Sequence, residues 1–168
     1  LRSLAVVTLA AATALGLPVT MLWIYDVHSP VSYFVGRESR DTYLARNAPS
    51  HETYRLIDRS PGARKVLLVG HHEPYYLRTP CLFSAYIDIP IVETVSGGAR
   101  SAPELAARLA ALGVTHVAVK SGALDADLAS GLCRWSPIER EAFDVFLRDH
   151  CHVLGRPGGD VVYEITRP

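Results

Sequence analysis

Ser101-Ala102-Pro103-Glu104-Leu105-Ala106-Ala107-Arg108-Leu109-Ala110-Ala111-Leu112-Gly113-Val114-Thr115-His116-Val117-Ala118-Val119-Lys120 is the stretch on which the fold turns. Ser101 and Glu104 form a capping-box pattern with a proline in the first turn, and Leu105, Leu109 and Leu112 fall at helical spacing. Gly113 is placed to end that helix in a left-handed conformation. Val114 to Lys120 then reads as a short apolar strand buried on both faces. A strand, a helix, a glycine and a second strand make a βαβ crossover, which predicts a parallel pair with a right-handed connection.

Working outward, Lys65-Val66-Leu67-Leu68-Val69-Gly70 is another short apolar run bounded by turn signals, and it predicts a second buried strand. Between the two lie Leu82 to Ile89 and Ile91 to Val95, interrupted by Pro90, which read as a strand with an irregular edge. Upstream, Ser39 caps a helix carrying Tyr43 and Leu44. Pro49-Ser50 restarts the helix with Tyr54 and Ile57 on its apolar face, and Ser60-Pro61-Gly62 stops it. Downstream, Ser136-Pro137-Ile138-Glu139 is a second capping box, opening a helix with Ala142, Val145 and Phe146 inward. His152 to Leu154 and Val161 to Ile165, joined by Arg156-Pro157-Gly158-Gly159-Asp160, predict a closing β-hairpin. The expected architecture is a small two- or three-layer α/β sandwich with a mostly parallel sheet and an antiparallel C-terminal hairpin at one edge.

At the other end of the chain, Ser3 to Tyr25 carry no charged side chain. A helix over these residues would reach about 35 Å, enough for a hydrocarbon core of ~30 Å. Arg2 flanks one end, and Trp23 and Tyr25 supply an aromatic interfacial anchor at the other. A secretory signal peptide and a buried core helix are the competing readings. The first is opposed by the bulky Met21-Leu22-Trp23-Ile24-Tyr25 and by the lack of an A-x-A pattern before Asp26. The resulting division is a transmembrane helix over 1–25 and a soluble domain over 26–168. Arg2 places the start in the cytoplasm and the domain outside it. Leu1 in place of Met suggests a piece of a longer protein.

With Arg2 set aside, 16 basic side chains are matched by 17 acidic ones, so no electrostatic case for nucleic acid exists. The three cysteines, Cys81, Cys133 and Cys151, show no C-x-x-C spacing. Buried free thiols and a single Cys133–Cys151 bridge both remain open. No phosphate-binding glycine loop, dinucleotide fingerprint, nucleophile elbow or H-E-x-x-H motif is present, and no cofactor is implied.

The sharpest chemical candidate is Gly70-His71-His72-Glu73, at the carboxyl end of the first buried strand, where open α/β sheets place ligands. Two imidazoles and a carboxylate suit zinc or a sugar. Adjacent residues of an extended segment point to opposite sides, however, so a shared ion would need Asp88 or His116 as well. The plain alternative is a polar loop at a strand end. Tyr75 and Tyr76, beside Arg78, are a candidate carbohydrate-stacking pair, against the alternative of one core and one surface tyrosine. His116 reads as a hydrogen-bonded core residue. Asp88 either takes a hydrogen bond from the backbone or from Tyr86, or contacts a ligand. Candidate ligand-binding residues are therefore His71, His72, Glu73, Tyr75, Tyr76 and Asp88, with no catalytic residue and no metal site assigned.

The order of landmarks, an apolar terminal helix followed by SRDTYLARN, SPGARKVLLVG, YYL, SAPELAARLAALGVTHVAVK and GGDVVYEI, resembles the extracytoplasmic tail of bacterial multi-pass membrane glycosyltransferases. These use polyprenyl-phosphate sugars and include relatives of the protein O-mannosyltransferases. The resemblance runs through nearly all of the chain after Tyr25 and rests largely on α/β packing motifs. It implies an accessory C-terminal domain whose parent's catalytic acidic residues lie in an upstream loop. It also implies a bacterial inner-membrane location, a lipid bilayer and an upstream transmembrane module as partners, and a glycan acceptor as a further one. His71-His72 stands where such tails often have other polar residues. Alternatives are a membrane-tethered glycan- or peptide-binding module, and a small metal-dependent hydrolase built on His71, His72, Asp88 and His116.

Overall fold

The computed structural model describes residues 13–14, 16–22, 25, 29–85 and 88–166. The expected membrane span over 1–25 therefore lies mostly outside the described residues. Helical backbone is present at 13–14 and 16–22. Among the described residues no helix is long and apolar enough to cross a membrane.

The chain divides into two compact units, Leu1–Pro49 and Ser50–Pro168. The division groups residues 26–49 with the first unit. That unit contains the single turn α1 (Val31–Phe34) and helix α2 (Arg40–Asn47). As its sequence predicts, Ser39 caps α2 by accepting a hydrogen bond from the Thr42 amide at 3.1 Å, and Leu44 is the buried residue of its inner face. Tyr33 and Tyr43 stack with centroids 5.2 Å apart, and Arg46 pairs with Glu38 at 3.0 Å.

The second unit is built on a five-stranded sheet in the order β2-β1-β3-β5-β4. Its elements in chain order are α3 (His51–Arg59), β1 (Val66–Val69), β2 (Cys81–Leu82), α4 (Ile91–Ser96), α5 (Ala102–Ala111), β3 (His116–Val119), α6 (Ala123–Ser130), α7 (Pro137–Asp149), β4 (Cys151–Gly155) and β5 (Val161–Ile165). β1 runs parallel to both β2 and β3, whereas β5 runs antiparallel to β3 and to β4. The sheet is thus evenly mixed rather than mostly parallel. The reason is that the closing hairpin inserts β5 directly beside β3, which turns two of the four pairings antiparallel.

Alternation along the central strands assigns the layers. Leu67, Val69 and Val117 pack with Leu105 and Leu109 of α5 and Phe143 and Phe146 of α7. Val66, Leu68, Ala118 and Val162 pack with Tyr54 and Ile57 of α3. With both faces covered, β1 is buried at all four positions, which is why it reads as an unbroken apolar run. The three-layer form of the expected sandwich is the one adopted.

The helix signals hold to different degrees. At α7 the capping box is complete: the Glu139 amide donates to Ser136 Oγ at 3.4 Å, and the Ser136 amide donates to Glu139 Oε2 at 2.8 Å. At α5 only half forms, because Glu104 Oε2 accepts from the Arg100 amide instead. Gly113 ends α5 at φ 73°. The expected strand over Ile91–Val95 is instead helix α4. Pro90 opens this helix rather than interrupting a strand, and left-handed Gly97 closes it. The α4 turn is tied down by Trp135 Nε1 donating to Ser96 Oγ at 2.9 Å and by the Arg134 amide donating to Glu93 at 2.8 Å. Of Leu82–Ile89, only Leu82 lies in a strand; 83–85 and 88–89 are irregular, and residues 86–87 lie outside the described residues.

Candidate functional site

Val69 ends β1, and the next residue changes the direction of the chain. Strict alternation would put residue 71 on the α5–α7 side with Val69. Gly70 adopts a left-handed φ of 75° instead, and His71 comes to lie against α3. A Cβ on Gly70 would stand 2.2 Å from the Ala123 methyl, so the same glycine also lets the start of α6 close on the end of β1.

His71 is the centre of a buried polar network. Its Nδ1 is 3.0 Å from Ser50 Oγ, and its Nε2 is 3.7 Å from Asp160 Oδ2. Asp160, immediately before β5, accepts a 2.8 Å hydrogen bond from Thr53 Oγ1 in the first turn of α3. The carboxylate favours the ring proton on Nε2, which leaves Nδ1 to accept from the Ser50 hydroxyl. Burial lowers the His71 pKa to about 4 despite the opposing pull of Asp160, so the ring is neutral at pH 7. Burial also pushes the Tyr54 phenol up to about 12, with a hydrogen bond to Ser50 acting in the opposite sense. Ser50, His71 and Asp160 have the composition of a nucleophilic triad. Their geometry does not match one: 3.7 Å is beyond hydrogen-bond reach, and the His71 side chain is fully buried. The cluster ties α3 to the sheet.

His72 points the other way, as the sequence predicts for adjacent residues. Its Nδ1 donates to the Ser84 carbonyl at 2.9 Å, and the ring borders a cleft of about 450 Å3 at the carboxyl ends of β1 and β3. Gly70, Ser84, Asp88, Lys120 and Asp127 share that wall. The cleft sits at a topological switch point, since the chain leaves β1 towards β2 and leaves β3 towards the opposite side. Asp88 takes a backbone hydrogen bond, from the Ala85 amide at 3.3 Å, and remains exposed at the cleft. A larger groove of about 650 Å3, lined largely by the alanine face of α5, contains none of the candidate residues. The polar cleft is the one that brings His72 and Asp88 together with further groups that can orient a ligand.

The remaining candidates are scattered. Glu73 is exposed and Tyr75 is 83% exposed, while Tyr76 meets the buried His51 edge-on at 6.2 Å. This loop is held by Asp58 of α3, whose carboxylate accepts from the Arg78 and Thr79 amides at 2.9–3.1 Å and from Thr79 Oγ1 at 2.9 Å. His116 lies at the amino end of β3, paired with Val66 at the start of β1, whereas His71 follows the end of β1. As expected, His116 is a buried, hydrogen-bonded core residue, with Ser60 and Thr115 hydroxyls each 3.0 Å from its ring nitrogens. His71, His72, Asp88 and His116 therefore do not converge. No group of three metal-ligating side chains gathers among the described residues. The three cysteines are free thiols. Sequence reasoning missed Asp160, Thr53 and Ser50 as partners of His71, and Lys120 and Asp127 as members of the cleft.

Comparison with protein-family models and with curated proteins finds no match. Among solved structures, the chain is similar to the C-terminal globular domain of an oligosaccharyltransferase from Archaeoglobus fulgidus. The identity is 14% over 71% of this chain and 97% of that domain, with a TM-score of 0.43.

Proposed function

We propose that the chain is the accessory extracytoplasmic C-terminal domain, with its membrane anchor, of a bacterial membrane glycosyltransferase that uses polyprenyl-phosphate sugars. The reading is carried by the ordered sequence landmarks of such tails. Three of them, SPGARKVLLVG, SAPELAARLAALGVTHVAVK and GGDVVYEI, contain the three adjacent strands β1, β3 and β5 around which this domain is organised. The site supports it from the chemical side. Its most strongly perturbed groups, His71 and Tyr54, are buried in the joint between α3 and the sheet, a use of polar groups that fits a scaffold holding its shape beside another module. The catalytic carboxylates then belong to a membrane module of the same protein, and Ser50–Pro168 packs outside the bilayer.

A topology experiment tests the location. An alkaline phosphatase reporter fused after Pro168 is expected to be active in intact bacterial cells. Activity only of a cytoplasmic fluorescent reporter at the same position would overturn the reading.

A further inference from the structure

We infer that the cleft at the carboxyl ends of β1 and β3 binds an uncharged, hydroxyl-rich ligand of the size of one or two pyranose rings. The cleft volume of about 450 Å3 is within the usual range of small-ligand sites. Its wall carries one ammonium, Lys120, and two carboxylates, Asp88 and Asp127. Lys120 and the Asp127 carboxylate form no hydrogen bond or ion pair among the described residues. An ammonium only donates and a carboxylate only accepts, whereas a hydroxyl does both, so a polyol can engage the two kinds of group at once. A phosphate or other anion is attracted by Lys120 but meets two carboxylates, and a simple cation meets the reverse conflict. Pro90, Ala126 and the half-exposed Leu132 add apolar surface of the kind a ring's CH face covers.

The cleft is also built to persist. The left-handed Gly70 allows α6 to seat against β1, the His72 ring is fixed by the Ser84 carbonyl, and the Lys120 amide donates to Val69 O at 2.9 Å. These backbone and packing contacts hold the wall without using the Lys120 ammonium or the Asp127 carboxylate. The inference stands on the cleft alone and does not depend on the glycosyltransferase reading.

The test is direct binding to the full chain in a non-glycosidic detergent. Amide chemical shifts are followed while methyl α-D-glucopyranoside, methyl α-D-mannopyranoside, inorganic phosphate and glycine are titrated in turn. At least one glycoside is expected to shift the amides of residues 70–72 and 120–123. Lys120→Ala and Asp127→Asn should each weaken that binding about tenfold, and Tyr75→Ala, outside the cleft, should leave it unchanged. No response to either glycoside, equal binding in both cleft variants, or a response to phosphate or glycine alone would each overturn the assignment. Because the readout is binding, failure here leaves the topology and transferase tests untouched.

Discussion

Thr53 and Asp160, 107 residues apart in the chain, are joined by a 2.8 Å hydrogen bond from the Thr53 hydroxyl to the Asp160 carboxylate, and both residues are buried. The bond fastens the first turn of α3 to the entrance of β5. It makes the hairpin that closes the chain a partner of the helix that opens the second unit.

Replacing Thr53 by Val keeps the shape and removes the donor, leaving a buried carboxylate one hydrogen bond short. The expected loss of stability is about 1–3 kcal/mol, read as a lower urea midpoint with an unchanged slope. A change within experimental error would show that water or another group replaces the hydroxyl.

His71 gives the fold a pH dependence with a definite sign. Its pKa is about 4 folded and near 6.5 unfolded, so the unfolded chain binds the extra proton first as the pH falls. The contribution is fully present above pH 6.5 and is lost progressively between pH 6.5 and 4. It amounts to about 3 kcal/mol as an upper figure. Asp160 opposes the shift, while Lys120 and His72 reinforce it. Unfolding midpoints measured from pH 7 to pH 4 should fall less steeply in His71→Gln than in the parent chain. Parallel slopes would contradict the assignment.

Gly70→Ala combines a left-handed backbone with a methyl 2.2 Å from the Ala123 Cβ. The backbone term alone is about 1–2 kcal/mol, and the contact adds to it because the Ala123 methyl has no rotamer by which to withdraw. Ala123→Gly in the same chain should recover the contact part but not the backbone part. A double-mutant cycle that shows no coupling would rule out the close approach as the reason for the glycine.

Asp58→Ala should release the loop that bears Tyr75 and Tyr76 without unfolding the sheet, since the carboxylate's partners are the amides of Arg78 and Thr79 and the Thr79 hydroxyl. Hydrogen exchange at those two amides is expected to accelerate by at least tenfold. Exchange at Leu67 and Val117, in the centre of the sheet, should change much less.

Much of the second unit is legible in the sequence because its signals are local. Two serine–glutamate caps, a glycine at the end of α5 and two four-residue apolar strands each declare themselves within a few residues. α4 was not legible: six residues give under two helical turns, and the proline that opens the helix also fits a strand break. α6 has one buried residue, Leu124, and so lacks an apolar stripe to betray it. At the site, opposite orientations of His71 and His72 follow from chain geometry alone. The identity of His71's partners does not, because Ser50 and Asp160 come from distant segments that only the β3–β5 pairing and the seating of α3 bring to the end of β1. Lys120 and Asp127 are not legible as cleft members for a related reason. A single lysine after a strand is ordinary until the neighbouring loop is seen to form a wall opposite it.

The most direct test of the central claim is sugar transfer, measured with polyprenyl-phosphate sugars as donors. Three samples are compared in membranes: the complete parent protein that the account proposes for this chain, the same protein lacking Ser50–Pro168, and the 168-residue chain alone. The account predicts transfer by the complete protein, a marked loss on deletion, and none from the chain alone. Transfer by the chain alone, or full activity after the deletion, would contradict it.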